Sequence, residues 1–210
     1  MKSLISLGSL VLLGICASVS SQAATYTWNF DVPAGAVGSS SHTYQNTTNA
    51  YNLIAHGYKN NGDGSELYGK SDGAGETGLG LSSDGDHEID NAHFIQLDVS
   101  DLKNHGLSNL TMLVGSVQSG EGFKIYGSNT AGSLGTLLVT GDGSGGVVQS
   151  ILVPSYSTYQ YFSLTASSAN VLLENGLTAS SVPEPAFFQL ASLLGLGGLS
   201  AFRLRRKLSA

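Results

Sequence analysis

The chain predicts an all-β body, an antiparallel β-sandwich or jelly roll. Three observations carry that expectation. Short runs of alternating apolar and polar residues, rich in β-branched and aromatic types, recur from Thr25 to Leu177. Clusters of Gly, Asn, Asp and Ser separate them, drawn from 28 glycines in 210 residues. Within the body only Asp101-Leu102-Lys103-Asn104 suits a helical turn.

The first element is a leader. Lys2 precedes an uncharged apolar stretch from Leu4 to Val19, followed by Ser21-Gln22-Ala23. A positive start, a hydrophobic middle and small residues at the end make a secretory signal peptide. Residues 1–23 are therefore expected to be removed by a cut between Ala23 and Ala24. A lipoprotein alternative at Cys16 is weaker, because Ile15 stands where a small residue is needed. Removal of Cys16 with the leader leaves a body without cysteine, which must rely on burial and hydrogen bonding.

The strands follow in order. Thr25–Val32 alternates, placing Tyr26, Trp28, Phe30 and Val32 on one face. Further strands are expected at Tyr51–Tyr58, Phe94–Val99, Leu110–Val117, Gly122–Tyr126, Thr136–Thr140, Val147–Val153, Tyr159–Ala166 and Asn170–Leu177. Ser39–Ser41 and Asn60–Gly80 read as long loops, and Thr178-Ala179-Ser180-Ser181 as a short flexible lead out of the body. No fixed-period repeat is present.

Three familiar motifs fall in the glycine-rich stretch. Gly64–Ser71 matches the P-loop pattern, Gly73–Gly78 the dinucleotide fingerprint, and Gly69–Gly73 the nucleophile elbow. The first two need a strand before and a helix after, because the helix N-terminus holds the phosphate. The elbow needs the same strand-to-helix setting. Ser71-Asp72-Gly73-Ala74-Gly75 does not begin a helix, and the residues after Gly78 look like another short strand. None of the five histidines stands at a spacing that pairs it with a nucleophile, so the expectation is a protein that is not an enzyme.

Within residues 24–181, four lysines face fourteen acids, which leaves a net charge of −10, and there is no arginine. Such a surface repels phosphate backbones and excludes nucleic acid as a partner. It suits neutral glycans, divalent cations or simple solubility.

Two sets of residues suggest ligands. Asp84, Asp86, Glu88 and Asp90 alternate, and an extended backbone would place all four on one face, supplying hard oxygen ligands for Ca²⁺. Four like charges on one face repel unless something positive sits among them. The EF-hand pattern fails, since Ile89 stands at the sixth position from Asp84 and Ile95 at the twelfth. The competing expectation is a solvated turn with no cofactor. Nine tyrosines offer planes for sugar rings. Tyr159 and Tyr161, on one face of an expected strand, are the candidate glycan contacts, and Tyr44, Tyr51 and Tyr58 gather near another strand. The alternative is that these rings complete the core.

The tail has three parts: Val182-Pro183-Glu184-Pro185, an uncharged apolar run over residues 186–202, and Arg203, Arg205, Arg206 and Lys207. The two prolines exclude helix interior and central strand, leaving an accessible extended backbone. These seventeen uncharged residues span about 25 Å as a helix, slightly short of a hydrocarbon core about 30 Å thick. The four cations would remain on the cytoplasmic side and halt export. This order over residues 182–207 resembles the PEP-CTERM sorting signal, which is recognised by an exosortase. The resemblance implies a chain held in the inner membrane by its C-terminal helix before processing, then delivered to the cell surface or extracellular matrix. More loosely, the body, with Gly78-Leu79-Gly80-Leu81, Asp86-His87-Glu88-Ile89-Asp90 and Phe94-Ile95-Gln96-Leu97-Asp98, resembles the β-rich ectodomains attached to such signals. Those are similar to galactose-binding-like or jelly-roll modules, and the family context implies exopolysaccharide and biofilm. The expected function is a structural or exopolysaccharide-associated matrix protein, with a carbohydrate-binding module, calcium-dependent or not, and a secreted hydrolase as the rivals.

Overall fold

A computed structural model describes residues 23–181 except 74, 75 and 84. The predicted leader up to residue 22, the Val182–Pro185 motif, the apolar run 186–202 and the cations Arg203, Arg205, Arg206 and Lys207 lie outside the described residues. Among the described residues no helix is long and apolar enough to cross a membrane.

Among the described residues fourteen strands appear in chain order: β1 Thr25–Trp28, β2 Gly35–Ala36, β3 Ser41–Gln45, β4 Asn52–Lys59, β5 Leu67–Ser71, β6 Thr77–Leu81 and β7 His93–Asp98 precede one short α-helix, α1 Ser100–Asn104. After it come β8 Leu107–Gly115, β9 Gly122–Ser128, β10 Thr136–Asp142, β11 Gln149–Leu152, β12 Tyr161–Ser168, β13 Leu172–Glu174 and β14 Leu177–Ser181. They form two sheets. One runs β10-β9-β12-β7-β4-β3; the other follows β1-β14-β8-β13-β6-β5-β2, with β11 on the free side of β8. Every pairing is antiparallel. The all-β, sandwich-like expectation holds.

Alternation explains how the sheets meet. Side chains point alternately to the two faces of a strand. Leu53 and Ala55 of β4, Ile95 and Leu97 of β7, and Phe162, Leu164 and Ala166 of β12 therefore turn inward together. They meet Leu79 and Leu81 of β6 and Leu110, Met112 and Val114 of β8 in one contiguous cluster. Each fully buried Leu, Ile or Phe contributes on the order of 1.5–3 kcal/mol, and a body without disulfides draws its stability from that sum.

Four expectations about elements need correction. The first strand ends at Trp28, not Val32; Trp28 and Phe30 are fully buried, but Val32 is 71% exposed because the chain has left the sheet. The expected strand Asn170–Leu177 is two strands, broken where Gly176 adopts φ +92°. Only glycine enters that left-handed region freely. The supposed loops Ser39–Ser41 and Asn60–Gly80 contribute to β3, β5 and β6. The supposed flexible lead 178–181 is β14, paired on one side with β1 and on the other with β8.

Candidate functional site

The acidic segment does not form the shared carboxylate face. Residues 85–88 make turns and bends, and Ile89 forms a two-way backbone bridge with Val171. Asp86 is exposed, while Glu88 is 5% exposed. Asp90 turns away: its Oδ1 accepts from the Ala92 amide at 2.8 Å and lies 2.7 Å from His93 Nδ1. Asp84 lies outside the described residues. The Ca²⁺ expectation needed these side chains together, and its described members part to separate partners. Among the described residues no three His, Cys, Asp or Glu side chains gather as a metal-binding group.

The positive charge that the acidic segment calls for is Lys70. In β5, Leu67 points to the core, so Tyr68 and Lys70 lie on the outer face of the sheet. Beside them in β6 stand Gly80 and Gly78. The chain at His87 and Glu88 crosses directly over Gly80, where a Cβ would sit 1.9 Å from the His87 carbonyl oxygen. That crossing delivers Glu88 Oε1 to 2.6 Å from Lys70 Nζ and lets Ser116 Oγ donate to the same oxygen at 2.9 Å. Glu76 Oε2 lies 3.3 Å from the ammonium. Burial by itself lowers the Lys70 pKa, but the hydrogen bonds and charges of Glu88 and Glu76 outweigh it and hold it raised. The His87 ring stacks on Tyr68 with centroids 3.8 Å apart. The segment is thus a cover clamped to the sheet by a buried ion pair.

Glu174 of β13, opposite Gly78, adds a charge with less support. Its Oε2 is buried without a hydrogen-bond partner. Desolvation raises its pKa, the Thr77 backbone amide opposes that, and the Glu76 charge adds to it. A carboxyl whose folded pKa is raised favours the folded state fully only below its ordinary pKa and loses that contribution as pH climbs through the folded value. Glu174→Gln is therefore expected to stabilise the body by about 1 kcal/mol at pH 7 and by almost nothing at pH 4. Urea melts at the two pH values check this.

The candidate glycan tyrosines do not share a strand face. β12 begins at Tyr161, and Tyr159 lies before it. The Tyr159 ring covers Gly127, where a Cβ would approach it to 2.4 Å, and meets Phe162 edge-on. The Tyr161 hydroxyl accepts from Gln160 Nε2 at 3.0 Å. Nearby Tyr156 stacks on Phe162 under the Lys103 ammonium, and burial pushes its phenol up to about 12. The Tyr156 and Tyr159 rings are engaged in packing.

A site that the sequence did not single out lies beside β3. The segment after β1, with Asn29, Asp31 and Val32, forms one wall of a cleft of about 770 Å³; His42 and Tyr44 of β3 form the other. The turn after β3 closes one end. Asn46 builds that turn, its Oδ1 accepting from the amides of Ala50 and Tyr51 and its Nδ2 donating to Thr48 Oγ1. The Thr47 amide ties it to the Thr27 carbonyl of β1 at 2.9 Å. Among the described residues, the side chains of Asn29, Asp31, Thr43, Thr47 and Asn49 have no hydrogen-bond partner. Tyr44 is 3% exposed, its hydroxyl has no partner, and burial holds its phenol pKa far above the usual value. His42 meets the Tyr44 ring edge-on at 4.7 Å. Asp31 is the single carboxylate in this lining.

A second hollow, of about 420 Å³, lies among Glu121, Asp142, Ser144 and Ser168. Its acids are occupied locally: Asp142 Oδ1 accepts from the Ser144 amide and hydroxyl, and Glu121 Oε2 from the Gln118 amide. The cleft beside β3 is lined by mostly exposed polar side chains without such local partners. No protein-family model, curated protein or solved structure matches this chain.

Proposed function

We propose that the chain is an exported, non-enzymatic envelope protein: a jelly-roll-type β-sandwich that a C-terminal sorting signal delivers to the cell surface or extracellular matrix, where it associates with exopolysaccharide. The observation that carries this is the order of the tail, Val182-Pro183-Glu184-Pro185, then an uncharged apolar run, then four cations. Each part has a separate physical task, and only their sequence makes an arrested, accessible peptide. By resemblance the processing partner is an exosortase, and before processing the inner membrane holds the apolar helix.

The body's own geometry supports this reading. β1 pairs with β14, and the Ala24 amide donates to Ser181 Oγ at 3.0 Å while the Ser181 amide donates to the Ala24 carbonyl at 2.9 Å. The points where leader and tail leave the body are therefore adjacent. β14 continues to Ser181, so Val182 follows a paired strand without a spacer, and Pro183 cannot donate to a further ladder bond.

A non-catalytic role is favoured by the state of the acids. Glycoside hydrolysis uses two carboxyls about 5–9.5 Å apart across a cleft. The β3 cleft is lined by one, Glu88 is buried against Lys70, and the two acids of the second hollow, Glu121 and Asp142, each accept local hydrogen bonds.

The test is processing in the native host. The double variant Pro183→Ala/Pro185→Ala is expected to accumulate in the membrane with its tail attached, while the wild type yields a shorter species by mass spectrometry of envelope and medium. Normal maturation of the double variant would remove the sorting reading.

A further inference from the structure

We infer that β10 is a self-association edge: it pairs antiparallel with β10 of a second copy across a two-fold axis, joining the six-stranded sheet of each copy into one. This goes beyond the sorting reading and rests on the body alone.

Exposed apolar residues single out one side of the sandwich. Among the described residues five large apolar side chains are exposed, and four of them, Leu137, Val147, Val148 and Leu152, lie on β10, on β11 or just before β11. These four are between 42% and 64% exposed. β10 and β11 border the two sheets and lie side by side. Gln149 of β11 donates from Nε2 to the Asp142 carbonyl of β10 at 2.6 Å, and Val139 and Ile151 both pack on the margin of the core. An apolar patch gathered in this way marks a contact surface, whereas single exposed residues do not.

β10 is also an edge left open. It pairs with β9 alone, and among the described residues no backbone hydrogen bond reaches Thr136–Thr140 from the other side. Native edges are blunted by shortness, charge, proline, a bulge or a covering segment. β2 has two residues, and the Thr27 carbonyl of β1 is taken by the Thr47 amide. β10 has seven residues, holds neither lysine nor proline, and is uncharged until Asp142 at its end. The register shift between Leu137 and Val139 is its one irregularity and leaves Val139–Asp142 regularly paired with β9.

Charge and symmetry name the occupant. Between Lys124 and Glu174 the chain carries one charge, Asp142, in a body of net charge −10. Two such bodies repel wherever acids face acids, and at this border they approach without that penalty. A charged partner finds no complement here, and a lipid surface offers no ladder of donors and acceptors. A second β10 offers both. About a two-fold axis, each strand supplies the groups that the other lacks, and the contact closes on itself as a dimer, not a filament. Strand addition of this kind draws its affinity from the main chain.

The experiment is sedimentation velocity of the full-length protein in detergent, at concentrations from about 1 to 100 µM. Expected is a reversible equilibrium between monomer and dimer. Leu137→Glu/Thr140→Glu places like charges on both strands of the pair and should weaken dimerisation at least about tenfold. Thr140 stands opposite Lys124, so the body itself accepts the acid. Mixing this variant with Leu137→Lys/Thr140→Lys should restore dimers containing one copy of each, a result that misfolding cannot produce. Thr43→Glu, exposed in β3 at the far edge of the same sheet, is the control and should change dimerisation less than about twofold. Should the double variant melt early, Thr140→Glu alone carries the comparison, with a loss of about threefold expected. A protein that stays monomeric throughout, dimers that survive the double variant, equal loss with Thr43→Glu, or oppositely charged variants that fail to associate each overturns the inference.

Discussion

Lys70→Met is expected to lower the stability of the body by about 3–5 kcal/mol, because it leaves the Glu88 carboxylate buried without its cation. Both side chains are 7% exposed, so neither water nor salt replaces the lost partner. Ser116 continues to donate one hydrogen bond to Glu88, which is insufficient for a full negative charge. The paired change Lys70→Met/Glu88→Met should recover most of the loss, since removal of both charges leaves no unmet desolvation cost. Alkaline pH separates the variants further. The folded pKa of Lys70 is raised, so its contribution is complete below the ordinary lysine pKa and is lost as pH climbs through the raised value. The wild type should weaken in that alkaline window, and the doubly substituted protein should lack this component. Urea titrations followed by the fluorescence of the single tryptophan, Trp28, measure all three proteins. A Lys70→Met cost below 1 kcal/mol would mean that Glu88 finds another partner and that the cover is held by something else.

What the sequence revealed divides along physical lines. Strands with side chains on both faces were legible: β4 and β9 repeat apolar residues every second position, and β7 is a short, mostly apolar run buried on both faces. β6 was legible only in part, as a short strand after Gly78 at the end of a supposed loop, because Gly78 and Gly80 occupy its outer positions and half of its alternation has no side chain to show. The same absence lets the chain at Glu88 lie on the sheet, so the feature that hid the strand also builds the clamp. The need for a cation among the acids was legible, but its source was not. Lys70 stands eighteen residues before Glu88, and the two meet only through the register of the β5–β6 hairpin. The cleft beside β3 was opaque for a related reason. Asn29 and Asp31 carry no motif, and they face His42 and Tyr44 because β1 and β3 converge on the turn at Thr47. Local patterns report burial; they do not report which separated segments share a wall.

Gly80→Ala is expected to cost about 3 kcal/mol and to detach the cover from the sheet. The methyl group would sit 1.9 Å from the His87 carbonyl oxygen and 3.0 Å from Glu88 Cα. These are backbone atoms, so no rotamer change relieves the clash. Either β6 moves, which disturbs Leu79 and Leu81 in the core, or the chain at residues 87–88 lifts, which lengthens the Lys70–Glu88 contact. The second route disturbs fewer buried side chains and should dominate. Hydrogen exchange identifies it, because the Ile89 amide donates to the Val171 carbonyl at 2.8 Å and is protected only while the cover is seated. Faster exchange at Ile89 with unchanged protection in β7 and β12 is the expected pattern. Gly85→Ala is the control in the same segment, since a Cβ there meets nothing within 4 Å and the change should fall within about 0.5 kcal/mol of neutral. Because Lys70→Met and Gly80→Ala release one clamp from its two sides, combining them should cost clearly less than the sum of the single effects. Strict additivity would mean that the ion pair and the glycine crossing act independently, and the cover would then not be the single device described by the Lys70, Glu88 and Gly80 geometry.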